Sequence, residues 1–351
     1  MTHLWVRAES RPSEERVGLT PQGAAELLAA GLRVTVEESP RRIIPIGGYR
    51  EAGCAIAPEG SWPNAPEDAI IFGLKELPDA GTPLSRRHIM FGHAYKGQPA
   101  GQTLLARFAA GGGALYDLEY LVDERGRRVA AFGYWAGYAG AAVALLCRAA
   151  QHRGAIAGPL ARYEGRAALF EDVRAALDAT GAALPDAIVI GALGRVGRGA
   201  SDLCEALGVR TTKWDLAETA HGGPFPEILE HEILLSCILA EPGCPVFVPA
   251  DAKTAPRRLR VIGDIACDPT SEFSPIKVYD RVTDWDAPAL RVHDDPPLDV
   301  TAIDNLPSLL PLESSQDFAA QLLPWLKTLP DLESGVWARA RAEFDRHVAA
   351  R

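Results

Sequence analysis

The sequence lacks the cysteine pairs from which zinc sites and disulfide frameworks are built. Its six cysteines stand singly along 351 residues, and none is part of a Cys-x-x-Cys pair. This pattern predicts a protein of a reducing, cytoplasmic compartment with no metal centre. The amino-terminal residues also lack the apolar run of a secretory signal, so we expect no export.

Basic residues are fewer than acidic ones. Lys and Arg number 36 against 46 Asp and Glu, a formal net charge of −10. Because nucleic acids and anionic membranes are bound by clustered positive charge, we expect neither as a partner. One uncharged run, residues 129–147, is long enough to cross a bilayer. It is rich in Ala and Gly rather than Leu and Ile, so we interpret it as a closely packed buried helix.

Two short apolar runs each end at a titratable residue. Residues 69–74 are followed by Lys75 and residues 88–92 by His93, and residues 78–83 between them are typical of a turn. If the runs are parallel strands, both side chains lie beyond the carboxyl ends of the sheet, where open α/β folds bind ligands. Such a pair suggests acid–base chemistry on an amine or carbonyl. An exposed Lys and a His near a loop fit the two runs equally well.

The predicted elements follow the order of an α/β protein. A helix is expected to begin at Pro21 with Thr20 as its N-cap. A hairpin about residues 123–126 is predicted to join strands 114–120 and 128–132. Further strands are predicted at 4–8, 32–37, 187–190, 210–214, 233–237 and 260–265, and carboxy-terminal helices at 315–326 and 335–350.

These elements predict two Rossmann-like domains with parallel sheets flanked by helices. The first, a substrate and catalytic domain, is expected to be discontinuous and to comprise residues 1–131 plus 309–351. The second, an NAD-binding domain, is expected to comprise residues 132–308.

A glycine-rich turn lies between an apolar strand and a helix. Gly191, Gly194 and Gly197 form a GxxGxxG variant of the dinucleotide fingerprint, in which glycines let pyrophosphate approach a helix N-terminus. Asp215, about 20 residues further on, can accept hydrogen bonds from ribose hydroxyls. Its charge favours NAD over NADP, although the nearby Lys213 and Arg210 leave NADP possible. A structural turn without a ligand is the alternative interpretation.

Several segments occur together and in order along the chain, and by them it resembles the saccharopine dehydrogenase family, the NAD-dependent, lysine-forming type. That family belongs to a superfamily with alanine dehydrogenase and transhydrogenase. The segments include Arg7-Ala-Glu-Ser-Arg-Pro, Arg16-Val-Gly-Leu-Thr-Pro21, Gly73-Leu-Lys-Glu76, His93-Ala-Tyr-Lys96, Leu115-Tyr-Asp-Leu-Glu119, Lys213-Trp-Asp215 and Ile303-Asp-Asn-Leu306.

The resemblance implies an activity: oxidative deamination of saccharopine to L-lysine and 2-oxoglutarate through an imine, with NAD as cofactor and an active site in the cleft between domains. It implies that Lys75 removes the ammonium proton and that His93 shuttles protons during imine hydrolysis. Glu76 and Glu119 would tune this pair.

The resemblance also implies the binding residues. Substrate-binding residues would be Arg16, Lys96, Gln98, Arg128, Phe132, Ala266, Cys267 and Asp268. Cofactor-binding residues would be Arg127, Gly191, Gly194, Arg195, Gly197, Asp215, Thr219, Leu239, Ile265, Ile303, Asp304, Asn305 and Leu306.

The chain departs from the family pattern at several of these positions. Arg11 replaces a lysine, Leu239 a tyrosine and Val196 a cysteine, and Ala266 removes a hydroxyl near the substrate. An opine-type or amino-acid dehydrogenase with another amine and keto-acid pair is therefore the alternative, and a non-catalytic NAD-binding regulator is a third. We expect a monomer or a small homo-oligomer.

Overall fold

In the computed structural model, which describes residues 1–78 and 81–349, the chain builds one sheet-containing unit, then a second, and returns to the first. The first unit comprises Met1–Ala131 and Ser314–Arg351, and the second Phe132–Glu313. The sequence places the return at residue 309. Its assignment of a substrate domain and an NAD-binding domain stays a prediction.

The strands and helices fall as follows. The strands are β1 (His3–Val6), β2 (Arg33–Glu37), β3 (Ala55–Ala57), β4 (Ile70–Phe72), β5 (Arg87–Met90), β6 (Ala114–Asp117), β7 (Asp186–Ile190), β8 (Arg210–Trp214), β9 (Ile233–Ser236), β10 (Val261–Asp264), β11 (Leu290–Asp294) and β12 (Pro297–Thr301). The helices are α1 (Pro21–Ala29), α2 (Ile46–Glu51), α3 (Pro99–Gly111), α4 (Gly133–His152), α5 (Arg166–Asp178), α6 (Arg195–Ala206), α7 (Leu216–Thr219), α8 (Pro226–Leu229), α9 (Pro311–Leu326) and α10 (Gly335–Ala349).

The first unit is a six-stranded sheet of order β3-β2-β1-β4-β5-β6, in which every pairing is parallel. Its helix α1 begins as predicted, because the Thr20 hydroxyl accepts the Gly23 N–H at 3.1 Å. The carboxy-terminal helices belong to the same unit. Phe318 of α9 packs against Phe91 with ring centroids 5.9 Å apart, and Trp337 of α10 packs edge-on against Tyr116 at 5.9 Å.

The second unit has a sheet of order β11-β12-β10-β9-β7-β8, parallel except that β11 runs antiparallel to β12. The uncharged run forms α4, most of whose residues are buried in the core of this unit. No helix in the described residues is long and apolar enough to cross a membrane. Glycines let α4 and α6 touch: a Cβ at Gly137 would lie 1.8 Å from the Val196 carbonyl oxygen.

One predicted element is wrong. Residues 128–132 form no strand, and the expected hairpin is reduced to a single bridge between Val122 and Arg128. The predicted turn itself is present: the Asp123 carboxylate accepts the backbone N–H groups of Arg125 and Arg127, each at 2.9 Å. Two other predictions reach past the described residues: Asp79 and Ala80 of the 78–83 turn, and Ala350 at the end of the last helix.

The contact between α4 and α6 predicts a stability difference between two glycines one turn apart. Gly137→Ala should lower the free energy of unfolding by about 3 kcal/mol, because its methyl group would overlap backbone that cannot move aside. Gly133→Ala should cost less than about 1 kcal/mol, since its methyl group would meet the side chains of Val196 at 3.3 Å and Arg195 at 3.4 Å, and the nearest backbone atom only at 3.8 Å. Urea denaturation measures both, and equal losses would contradict this account of the packing.

Candidate active site

The loops that follow β4, β5 and β6 carry the predicted acid–base residues. The three strands are adjacent and parallel, with Phe72 beside Ile89 and Met90 beside Asp117. The pairing continues past the strands, because the Phe91 N–H donates to the Leu74 carbonyl at 2.9 Å. Lys75, His93 and Glu119 therefore all lie beyond the carboxyl ends of adjacent strands. For Lys75 and His93 this is the position that the apolar runs predict.

Glu119 lies close to three of the predicted site residues. Its Oε2 lies 3.6 Å from Nδ1 of His93, slightly beyond hydrogen-bond distance. Its Oε1 lies 3.0 Å from Nζ of Lys96 and 3.5 Å from Nη2 of Arg128. His93 is the foremost of the groups that lower the pKa of Glu119 to about 2. The carboxylate is thus ionised at any physiological pH and faces three cationic or protonatable groups.

Asp117 ties the His93 and Glu119 loops together and was not among the predicted site residues. Its fully buried carboxylate accepts the Gly92 N–H at 3.1 Å and the Glu119 N–H at 2.9 Å. Burial raises its pKa to about 6. His93 itself has a φ of +48°, unusual for a non-glycine residue. An acidic residue at the end of an apolar strand was the sequence signal for Asp117.

Lys75 lies among carboxylates of the first unit. Both carboxylate oxygens of Glu9 accept backbone N–H groups of this loop, from Leu74 at 2.6 Å and from Lys75 at 2.9 Å. The Lys75 charge also helps to lower the pKa of Glu14 and of Glu76. The ammonium group therefore sits in a negative environment.

Arg16, a predicted substrate-binding residue, is held by Glu14. Two hydrogen bonds join them, Nε to Oε1 at 2.7 Å and Nη2 to Oε2 at 2.6 Å. Both side chains are almost completely buried. Burial raises the pKa of Glu14, and Arg16 more than offsets that rise, so the pKa lies below its ordinary value. Glu14 is a second residue that the sequence analysis missed, because nothing local marks it.

Glu76 pairs with Arg11, whose Nε lies 2.5 Å from its Oε1. Burial raises the pKa of Glu76, but the Arg11 hydrogen bond and charge outweigh it, and the pKa is lowered. The arginine that replaces the family's lysine is therefore in direct contact with a predicted tuning residue.

The remaining substrate-side residues are spread over both units. Gln98 is the N-cap of α3 and Phe132 the N-cap of α4. Ala266, Cys267 and Asp268 follow β10 in the second unit. Their roles stay predictions.

The glycine turn has the geometry of a phosphate loop. Gly191 has a φ of +81°, and its carbonyl accepts the Gly194 N–H at 3.1 Å. A Cβ at Gly197 would lie 2.2 Å from the Gly191 carbonyl oxygen, so only glycine allows α6 to approach β7 this closely. Gly194 is the N-cap of α6, and Arg195 is its first residue. The N-terminus of a twelve-residue helix thus begins at the turn, as an anion site requires.

Asp215 joins this turn to the end of β8. Its carboxylate accepts the Leu193 N–H at 2.9 Å and the Leu216 N–H at 3.0 Å, and caps α7. Thr219 donates its hydroxyl to the Asp215 carbonyl at 3.0 Å. Three exposed leucines follow strands of this sheet: Leu193 in the glycine turn after β7, Leu216 at the start of α7 after β8, and Leu239 after β9, at 76%, 83% and 72% exposure. Exposed apolar side chains beside a phosphate turn suit a planar base, although only Leu239 was predicted.

The cations that left NADP possible are engaged elsewhere. Nζ of Lys213 lies 2.5 Å from Glu205, and Nη2 of Arg210 lies 3.1 Å from Asp186. The donor set around the turn therefore fits NAD better than a 2′-phosphate.

The other predicted cofactor residues differ in exposure. Ile265, Ile303 and Leu306 are buried, whereas Asp304 is exposed and Asn305 half-buried. Arg127, in the first unit, makes two hydrogen bonds to Asp123 within its own turn, at 3.0 and 3.1 Å. In residues 1–78 and 81–349, no group of three or more His, Cys, Asp or Glu side chains could hold a metal ion.

Comparison with known proteins places these features in a family. Residues 5–139 match the family model of the alanine dehydrogenase/PNT N-terminal domain. The chain is 46% identical to saccharopine dehydrogenase (NAD(+), L-lysine-forming) of Neurospora crassa, over 99% of this chain and 97% of that protein. It is 43% identical to the protein of the same name from Schizosaccharomyces pombe, over 99% and 98%. The chain belongs to the saccharopine dehydrogenase family.

Solved structures confirm the fold. L-alanine dehydrogenase aligns over 99% of both chains with a TM-score of 0.71 and 18% identity. The transhydrogenase from Sinorhizobium meliloti covers 96% of this chain and 97% of its own, with a TM-score of 0.62 and 16% identity. These similarities support two Rossmann-like domains, as the sequence predicts.

The Asp215 geometry predicts the coenzyme preference of the enzyme. Asp215→Ser keeps a side-chain oxygen for the cap but removes the charge, so the ratio of kcat/KM for NADH over NADPH should fall about ten-fold or more. Lys213→Ala is the matched control and should leave this ratio unchanged, because Glu205 already binds the ammonium group. An unchanged ratio in the Asp215 variant would remove the carboxylate from coenzyme selection.

Proposed function

We propose that this protein catalyses the reversible, NAD-dependent oxidative deamination of saccharopine to L-lysine and 2-oxoglutarate through an imine. Family membership supports the proposal, and one observation carries it: adjacent parallel strands bring the Lys75, His93 and Glu119 loops to one sheet edge. In the reverse direction lysine, 2-oxoglutarate, NADH and a proton give saccharopine, NAD and water.

The cofactor would be held by the second unit. The turn from Gly191 to Gly197 and the N-terminus of α6 would bind the pyrophosphate, and Asp215 the ribose. The exposed leucines would cover the base. Bound NAD supplies the hydride acceptor.

We assign the first proton transfer to Lys75. A protonated secondary amine cannot release hydride from its α-carbon, so a base must first take the ammonium proton. The neighbouring Glu14 and Glu76 are each bound by an arginine. These ion pairs offset part of the negative charge that would otherwise hold the lysine protonated.

We assign the later proton transfers to His93. Hydrolysis of the imine needs a group that deprotonates the attacking water and then protonates the departing amine. An imidazole with Nδ1 facing the ionised Glu119 leaves Nε2 to take up and return that proton. Asp117 fixes the loops that carry both side chains.

Saccharopine carries three carboxylates, which the cations of the first unit would bind. Lys96 and Arg128 pair with Glu119 in this structure, and we propose that they also bind a substrate carboxylate. Arg16 and Gln98 would provide further contacts to the substrate carboxylates. Phe132, Ala266, Cys267 and Asp268 of the second unit are the further residues to which we assign substrate binding.

A sister specificity is the second candidate, and the altered residues favour it. Arg11, which is paired with Glu76, and the neighbouring residues Ala266 and Cys267 would change the environment of the substrate. Another amine and keto acid would then be joined by the same chemistry. The non-catalytic regulator is disfavoured because Lys75, His93 and Glu119 are all retained.

We place the protein in the cytoplasm, since its six cysteines are free thiols. We propose that its partners are small molecules and that it is a monomer or a small homo-oligomer.

The activity is tested by following NADH absorbance with purified protein, lysine and 2-oxoglutarate. NADH oxidation that needs both substrates is expected. Oxidation only with another amine and keto acid would establish the sister specificity. NADH binding without turnover of any pair would contradict the proposal and favour the regulator.

The acid–base assignment predicts the effect of removing each group. Lys75→Met and His93→Gln should each lower kcat by about 10²- to 10⁴-fold, the usual contribution of a positioned acid or base. NADH binding, measured by fluorescence titration, should be unchanged. Lys327→Met, which removes an exposed ammonium paired with Glu26, is the control and should keep full turnover. Full turnover of either site variant would overturn the assignment.

A further inference from the structure

Asp264, the last residue of β10, is a buried carboxylate that the proposed chemistry does not use. It is only 3% exposed, and its Oδ2 accepts the Tyr279 hydroxyl at 2.5 Å. Its Oδ1 has no hydrogen-bond partner among the described residues. An unsatisfied carboxylate oxygen in the interior is costly, so its retention requires a physical reason.

The segment after Asp264 supplies that reason. Burial raises the pKa of Asp264, and the backbone N–H groups of Cys267 and Ala266 offset part of that rise by favouring the charged carboxylate. Cys267 has a φ of +56°, a left-handed conformation that non-glycine residues rarely adopt. Such a conformation persists only where its surroundings hold it.

The sheet holds the chain only as far as Ile265. The Ile265 N–H donates to the Ser236 carbonyl at 3.0 Å, which extends the β9–β10 pairing by one residue. Among the described residues, no backbone–backbone hydrogen bond involves Ala266 or Cys267. The Cys267 side chain packs against the core of the second unit, and the Asp264 carboxylate is the group placed to fix the backbone of these two residues. Tyr279, itself buried, fixes the carboxylate in turn.

We propose that Asp264, held by Tyr279, is a positioning residue that sets the conformation of Ala266–Asp268 and hence the affinity for substrate. This inference rests on the proposed function, in which these three residues are assigned to substrate binding. Ile265, on the cofactor side, is secured by the strand pairing and does not depend on Asp264. Ile265 is thus fixed by the strand pairing, whereas the backbone N–H groups of Ala266 and Cys267 have the Asp264 carboxylate beside them.

The test is a split between substrate and cofactor constants. Asp264→Asn keeps the size of the side chain but replaces the charged carboxylate that faces the loop by a neutral amide, whose oxygen or NH₂ group then faces the loop. The KM for the amine or the keto acid should rise about ten-fold, with kcat and the NADH Kd within about two-fold of the wild type. Tyr279→Phe should raise the same KM by about three-fold, since the carboxylate stays but loses its support.

Asp299→Asn separates positioning from loss of stability. Asp299 is an equally buried carboxylate in the same sheet, bound by Arg291 and Gln151. This variant should lower Tm and leave both KM values unchanged. A comparable rise in KM would show that the Asp264 effect is general destabilisation, and would overturn the proposal.

Cys267→Gly tests the conformational cause. Glycine adopts a positive φ without support, so Asp264→Asn should raise KM less than about three-fold in the C267G background, against about ten-fold with Cys267 present. Equal effects in the two backgrounds would overturn the proposal, as would a parallel rise in the NADH Kd. KM is measured with the pair that the wild type turns over. If the wild type turns over no pair, the proposed function is wrong. If the wild type is active and the KM values of Asp264→Asn equal those of the wild type, only this inference is wrong.

Discussion

The parallel pairing of β4, β5 and β6 is the constraint on which the candidate site depends. Parallel strands end at the same edge, so three loops separated by up to 44 positions in sequence, from Lys75 to Glu119, begin side by side. No chemistry-bearing residue needs to sit in the strands themselves. The apolar strands fix the edge, and the loops supply the titratable groups. The same arrangement in the second unit places the glycine turn, Asp215 and the Ala266–Asp268 segment at strand ends.

Buried carboxylates hold these loops in place. Asp117 accepts N–H groups from two loops of the first unit, and Glu9 accepts two from the Lys75 loop. Glu119, Glu14 and Glu76 are instead matched with cations. An acidic chain thus presents a site for an anionic substrate by pairing its carboxylates internally. Because Arg16, Lys96 and Arg128 each already have a carboxylate partner, we propose that substrate binding exchanges that partner for a substrate carboxylate.

Much of this architecture could be predicted from local sequence. The Thr20 cap, the β8 bounds and the glycine turn depend on neighbouring residues, and all are where the sequence predicts them. The predicted hairpin turn forms about Asp123, but only Val122 and Arg128 pair beyond it, so no strand follows the turn. The antiparallel β11–β12 pair was missed because Pro296 and Pro297 disguise its turn. The roles of Asp117 and Asp264 could not be assigned, since their partners Gly92 and Tyr279 are distant in sequence. Glu14 was missed although Arg16 is two residues away, because nothing in the local sequence shows that this pair is buried.

We propose that the loops after β4, β5 and β6 serve hydride chemistry at a carbon–nitrogen bond. The decisive experiment incubates the protein with lysine, 2-oxoglutarate and NADH deuterated at its transferable position, and identifies the product by mass spectrometry. We expect saccharopine carrying one deuterium at the carbon of the new carbon–nitrogen bond. A 2-hydroxy acid carrying the deuterium, formed without joining the amine, would contradict it.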